Sequence, residues 1–128
     1  VKVLLDTQIF IWWDSRPENL SVTALATLTD TSNIFVLSVV SIWEMQIKNQ
    51  LGKLSLSRPL NELVESQQLV NSLEIMPIQA AHIFALAGLP TYHKAPFDRL
   101  LIAQAIAENM VLISADRLFS SYSVNLLQ

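Results

Sequence analysis

Four acidic residues, Asp6, Glu44, Asp98 and Asp116, stand close to the predicted ends of apolar segments. Asp6 directly follows the first apolar run. Asp116 follows another run by three residues, in Ser114-Ala115-Asp116. Glu44 lies one turn into a predicted helix, and Asp98 opens a second one. Carboxylates brought to one place repel each other unless a cation compensates. The chain has no cysteine and no histidine at ligand spacing, so the cation that suits it is a hard one, Mg2+ or Mn2+. Such ions prefer oxygen ligands, keep several waters and are commonly completed by substrate phosphates. The chemistry open to them is phosphodiester hydrolysis, in which the ion lowers the pKa of a bound water and offsets charge on the phosphoryl oxygens. Four carboxylates suit one ion or two.

The elements that must position these acids read as an alternation of buried strands and helical stretches. Strands are predicted over residues 1–5, 34–37, 74–76, 110–113 and 124–127. Helices are predicted starting at residues 8–13, then over 21–30, from 41 to a stop at Gly52, and over 60–70, 79–87 and 97–109, with a short helix or turn at 117–122. In the second of these, Val22, Leu25, Ala26 and Leu28 fall near one face. In the helix opened by Ser41, the Ser41-Ile42-Trp43-Glu44 pattern reads as a capping box, and Trp43, Ile47 and Leu51 recur at four-residue spacing. Residues 91–96 read as a polar connection ending in proline. This order predicts an α/β fold, a three-layer α/β/α sandwich with a central parallel sheet. In such sheets ligands bind beyond the carboxyl ends of the strands, which is the rim where the four acids fall.

Each acid also has a plain structural reading. Glu44 fits the capping box and stands four residues before Lys48, a favourable helix pair. Asp98 suits the positive end of a helix dipole, and Asp6 and Asp116 suit N-cap positions. What these readings leave unexplained is the convergence of all four on one rim. His82, in an apolar helix, reads as structural, and His93, in the loop before Asp98, as a capping or solvent-facing residue. No Ser-His-Asp order and no glycine-rich phosphate loop is present.

Composition bounds the remaining possibilities. The 128 residues are 52% hydrophobic and 15% charged, with a net charge of −3 and no cysteine; this excludes disorder, a disulfide scaffold, a zinc-thiolate site and a cysteine nucleophile. One domain over residues 1–128 is expected. The most apolar stretch, residues 34–43, is interrupted by Ser38 and Ser41 and is shorter than the ~18–20 residues of a membrane span. With no signal-peptide pattern, a cytoplasmic protein without membrane attachment is expected. An excess of acid argues against a broad basic nucleic-acid face, but four of the eleven acids are candidate metal ligands, and bound cations would reverse the local sign.

Four blocks of the chain together resemble a known family. They are Val3-Leu4-Leu5-Asp6-Thr7 with Trp12-Trp13; Ser38-Val39-Val40-Ser41-Ile42-Trp43-Glu44-Met45-Gln46-Ile47-Lys48 running to Gly52-Lys53-Leu54; His93-Lys94-Ala95-Pro96-Phe97-Asp98-Arg99-Leu100-Leu101-Ile102-Ala103-Gln104-Ala105; and Ser114-Ala115-Asp116. In order and spacing they resemble PIN domains, and in particular the VapC-type toxins of type II toxin–antitoxin pairs. The resemblance implies a Mg2+- or Mn2+-dependent endoribonuclease with Asp6, Glu44, Asp98 and Asp116 as metal-binding and catalytic acids. It further implies a homodimer, a cognate antitoxin whose tail enters the active-site groove, and inhibition of translation through cleavage of tRNA or ribosomal RNA. Ser114, Arg99 and Arg117 are candidate substrate contacts, although the two arginines suit pairing with the adjacent acids equally well. Two positions depart from the pattern: Ala95 replaces an aspartate usual in close relatives, and Gln8 a histidine. The loss at position 95 keeps open an alternative, a weak or inactive domain acting as an antitoxin-binding or regulatory module.

Overall fold

The computed structural model describes residues 1–91 and 95–128. His93 therefore lies outside the described residues. The central sheet contains β1 (Lys2–Leu5), β2 (Ile34–Ser38), β3 (Glu74–Met76), β4 (Val111–Ile113) and β5 (Asn125–Leu127) in the order β3-β2-β1-β4-β5. All four pairings are parallel. Parallel strands need crossover connections, and helices supply them: α1 (Thr7–Ser15), α2 (Val22–Thr29), α3 (Val39–Gln50), α4 (Leu60–Asn71), α5 (Ala80–Ala85) and α6 (Pro96–Ala107). No described helix is long and apolar enough to cross a membrane.

Alternation along the strands divides the core into two layers. Val3 and Leu5 of β1 join Phe35, Leu37, Phe10, Leu28, Met45 and Val64 on one face. Leu4 and Val36 join Leu101, Ile102, Ala105 and Phe119 on the other. A strand covered on both sides has to be apolar at every position, and Val3, Leu4 and Leu5 meet that requirement with essentially no exposure. The three-layer α/β/α sandwich expected from the element order is the observed fold.

Two helix faces differ from expectation. α3 begins at Val39, because Ser38, the last residue of β2, is its N-cap and accepts from the Val40 N–H at 3.0 Å. The Ser41-to-Glu44 capping box therefore does not form. Both residues lie inside the helix, on the buried side with Val40 and Met45. The stripe at Trp43 and Leu51 turns outward, 54% and 63% exposed, and Trp43 meets Phe97 edge-on at 5.0 Å between ring centroids. Val40, Glu44 and Lys48 share the spacing of Trp43, Ile47 and Leu51, so periodicity alone could not choose between the faces; contact with Thr7 of α1 does. In α2 the buried pair is Ala24 and Leu28, while Val22 and Leu25 are exposed.

The stop at Gly52 is as expected. Gly52 has φ +72°, a conformation glycine enters without Cβ strain. Its N–H donates to the Asn49 carbonyl at 3.1 Å and the Lys53 N–H to that of Lys48 at 2.9 Å. This paired closure is the Schellman motif, and it brings the chain back past the end of α3 so that Lys53 and Leu54 reach the sheet's carboxyl rim.

Candidate active site

The order of strands reverses around β1: β2 and β3 lie to one side, β4 and β5 to the other. That reversal opens a crevice at the strands' carboxyl ends. A cleft of about 330 Å³ occupies it, lined by Asp6, Thr7, Glu44, Lys48, Lys53, Asp98 and Asp116 together with Gln8, Ile11, Leu54 and Ala115. All four carboxylates singled out from sequence share this cleft. They arrive from the end of β1, the second turn of α3, the first turn of α6 and the loop after β4.

Asp6 lies deepest, at 7% exposure. It is the N-cap residue of α1, yet its side chain makes no capping bond. Instead Oδ2 accepts from Ser114 Oγ at 2.8 Å. Burial pushes its pKa up from 3.8 to about 6. The Ser114 hydrogen bond and the Thr7 N–H oppose the rise, and the negative charges of Asp98 and Glu44 add to it. Asp6 therefore carries a desolvated carboxylate in a negative field.

Glu44 is held from two sides. Thr7 Oγ1 donates to Oε1 at 2.7 Å and lies 2.9 Å from Ser41 Oγ; Lys48 Nζ donates to Oε2 at 2.7 Å. The helix pair with Lys48 foreseen from spacing is thus present. Asp116 keeps its structural role while lining the cleft, since Oδ1 accepts from the Leu118 N–H at 2.9 Å and caps the 3-10 turn Arg117–Ser121. Asp98 sits in the first turn of α6, where the helix dipole favours a negative charge.

The three candidate substrate contacts fare differently. Ser114 is fully buried; besides donating to Asp6, its Oγ accepts from the Asp116 N–H at 3.0 Å. It ties two cleft acids together and offers no surface to a substrate. Arg99 does not line the cleft, because its guanidinium donates to the carbonyls of Pro90 at 3.0 Å and Leu86 at 3.4 Å. Pairing of Arg99 with the adjacent Asp98 is likewise not among its contacts. Arg117 is exposed and lines an adjoining depression with Trp12, Ala115 and Gln128. Sequence reasoning gave no site role to Thr7, Lys48 or Lys53, all of which line the cleft. The available signals were the position of Thr7 directly after Asp6 and the four-residue step from Glu44 to Lys48.

The donor set is all oxygen, which suits a hard divalent ion. Among the described residues no three acidic or histidine side chains already form an ion-holding group. The reason is visible in the bonds above: Glu44 has both oxygens engaged and Asp116 caps a turn. An ion that keeps several of its waters asks for few direct carboxylates, and Asp6, Asp98, Asp116 and Glu44 are the residues that could hold it.

The PIN domain family profile matches residues 3–125. The chain belongs to the PIN domain family. Within the family it is similar to Ribonuclease VapC22 of Mycobacterium tuberculosis (strain ATCC 25618 / H37Rv), 29% identical over 121 residues that cover 94% of this chain and 91% of that one. Its fold matches that of VapBC2 from Rickettsia felis bound to a DNA fragment from their promoter, with TM-score 0.75 at 19% identity, covering 99% of this PIN domain and 98% of that chain. FitAcB from Neisseria gonorrhoeae matches with TM-score 0.68, also at 19% identity, over 98% of this chain and 96% of that one.

The alanine expected to depart from the pattern has a definite place in this PIN domain. Ala95 is the N-cap of α6 and makes no side-chain capping bond. An aspartate at this position would supply an acceptor for the first-turn N–H groups. Alanine supplies neither a side-chain cap nor an acid near Asp98. Gln8, the second departure, lines the cleft.

Proposed function

We propose that this PIN domain is a divalent-metal-dependent endoribonuclease, the toxin of a toxin–antitoxin pair, with Asp6, Glu44, Asp98 and Asp116 as its metal-binding acids. The observation that carries the reading is the burial of Asp6 in the negative field of Asp98 and Glu44, a costly arrangement unless a cation joins it. The name of its relative, Ribonuclease VapC22, supports RNA as the substrate. A toxin–antitoxin assignment is supported by a toxin–antitoxin complex from Klebsiella pneumoniae that shares its fold. The partners proposed are a cognate antitoxin and a second copy of this chain, with tRNA or ribosomal RNA as the substrate in the cytoplasm and arrest of translation as the outcome.

Bound in the cleft, Mg2+ or Mn2+ would supply hydroxide near neutral pH and offset charge on the phosphoryl oxygens. The chain's own residues do the rest. Ser114 holds Asp6 and the backbone of Asp116 in fixed relation, and Thr7 sets the orientation of Glu44. One of the four acids would take up the proton of the attacking water. Lys48 and Lys53 keep the mouth of the cleft from being uniformly repulsive to phosphate.

The test is cleavage of single-stranded RNA by purified, antitoxin-free protein. Cleavage with Mg2+ or Mn2+ that EDTA abolishes is expected; no cleavage with either ion contradicts the reading. In that event the second reading, a binding module that engages antitoxin without catalysis, is favoured by the engaged oxygens of Glu44 and the missing acid at position 95.

A further inference from the structure

A lysine and a glutamate four residues apart on a helix usually form a weak, solvent-screened pair. The Lys48–Glu44 pair is of another kind. Its acid end is only 11% exposed while its lysine end is 49% exposed, and both residues line the cleft with Asp6, Asp98 and Asp116. The ammonium lies 2.7 Å from Glu44 Oε2 and so already neutralises one of the cleft's four negative charges. The other oxygen, Oε1, is held by the neutral hydroxyl of Thr7. Of these two partners only the lysine competes in charge with an incoming cation. A divalent ion that drew on the same carboxylate would repel the ammonium. Lys48 can leave easily, since its flexible four-carbon stem is already half in solvent and its three donors suit a phosphate.

Resting on the metal-dependent reading above, we infer that Lys48 is a resident cation of the cleft: it yields Glu44 to the divalent ion, and its freed ammonium then binds a phosphate of the substrate. The exchange lowers metal affinity in the empty cleft and adds a phosphate contact once the ion is in place. Lys48 thereby acts as a substrate-binding residue whose availability depends on metal.

Mn2+ titration of the antitoxin-free chain, read as loss of the free-ion EPR signal, tests the exchange. Lys48→Met and Lys48→Gln should each tighten Mn2+ binding at least about fivefold, with Lys48→Arg unchanged. Lys53→Met removes the same charge from the same cleft and should tighten it by about twofold or less. No tightening in Lys48→Met and Lys48→Gln, or tightening no larger than in Lys53→Met, overturns the exchange. The phosphate contact is tested at saturating Mn2+ with a short single-stranded DNA, which presents the same phosphates. Lys48→Met should lower the slope of log affinity against log salt by about 0.7, and an unchanged slope overturns it. Wild-type RNA cleavage is scored separately, so a chain that cleaves RNA but shows no Lys48 effect keeps the proposed function and loses only this inference.

Discussion

Two buried polar clusters lie at the carboxyl ends of neighbouring strands, and they are built on opposite terms. Beyond β2, Ser38 Oγ donates to Gln104 Oε1, and Gln104 Nε2 donates to the Pro77 carbonyl at 3.3 Å. His82 Nδ1 accepts from the Gln79 N–H at 3.0 Å, and His82 Nε2 meets Glu108 at 2.9 Å. Each donor in that chain finds an acceptor, and the charge of Glu108 reaches toward solvent. Beyond β1, Asp6 shares a cleft with three more carboxylates, and burial, with the charges of Asp98 and Glu44 added to it, raises its pKa to about 6. The first cluster closes its hydrogen bonds and so stabilises the fold. The second concentrates like charge, which the proposed cation would offset. Buried polar groups are therefore evidence of a site when they gather like charge, even where each is hydrogen-bonded.

That contrast can be broken from either side. The largest effect is expected at Asp6: Asp6→Asn should lower RNA cleavage on the order of 10³-fold while making the metal-free protein more stable at neutral pH. The native carboxyl, at about 6, binds its proton more tightly than the unfolded one at 3.8. Protonation therefore favours the native state at low pH, and that advantage is lost as pH rises through about 4 to 6. By neutral pH the difference amounts to about 3 kcal/mol, so the melting-temperature gain of Asp6→Asn over wild type should grow from pH 4 to 7. Gln104→Ala attacks the satisfied cluster and should cost about 2–3 kcal/mol in denaturant unfolding, with Mn2+ affinity unchanged. Ser114→Ala, which frees Asp6 from its orienting hydroxyl, should lower cleavage about tenfold. The smallest effect is Ala95→Asp, expected to stabilise by about 1 kcal/mol through the restored cap of α6, read as a rise in melting temperature.

Much of this organisation was legible in the sequence, and the exceptions have definite causes. Val3 to Leu5 and Phe35 to Leu37 are apolar at consecutive positions, which only strands covered on both faces require, so the sandwich and its parallel sheet could be read directly. The four acids that share the cleft were legible as a set because Asp6 and Asp116 follow such strands and Glu44 and Asp98 lie in the opening turns of helices. The start of α3 was not: Ser38 and Ser41 both fit an N-cap, and the choice fell to Ser38 through the length of β2 and the contact of Ser41 with Thr7. The roles of Ser114 and Arg99 were hidden for a similar reason. A serine or an arginine beside an acid looks like a ligand contact until tertiary structure shows Ser114 buried against Asp6 and Arg99 spent on the carbonyls of Pro90 and Leu86. Lys48 reaches the cleft one turn after Glu44 on the same helix face, whereas Lys53 enters it through the Gly52 turn, whose position was predictable and whose reach was not.

On the proposed function, the like charge around Asp6 serves to hold a divalent cation. Melting of the wild-type protein across pH 4 to 8, with EDTA and with saturating Mn2+, tests it most directly. Mn2+ should raise the melting temperature at neutral pH, as ligand linkage requires, and remove most of the decline between pH 4 and 6 that distinguishes wild type from Asp6→Asn. A melting temperature and a pH slope that Mn2+ leaves unchanged would contradict it.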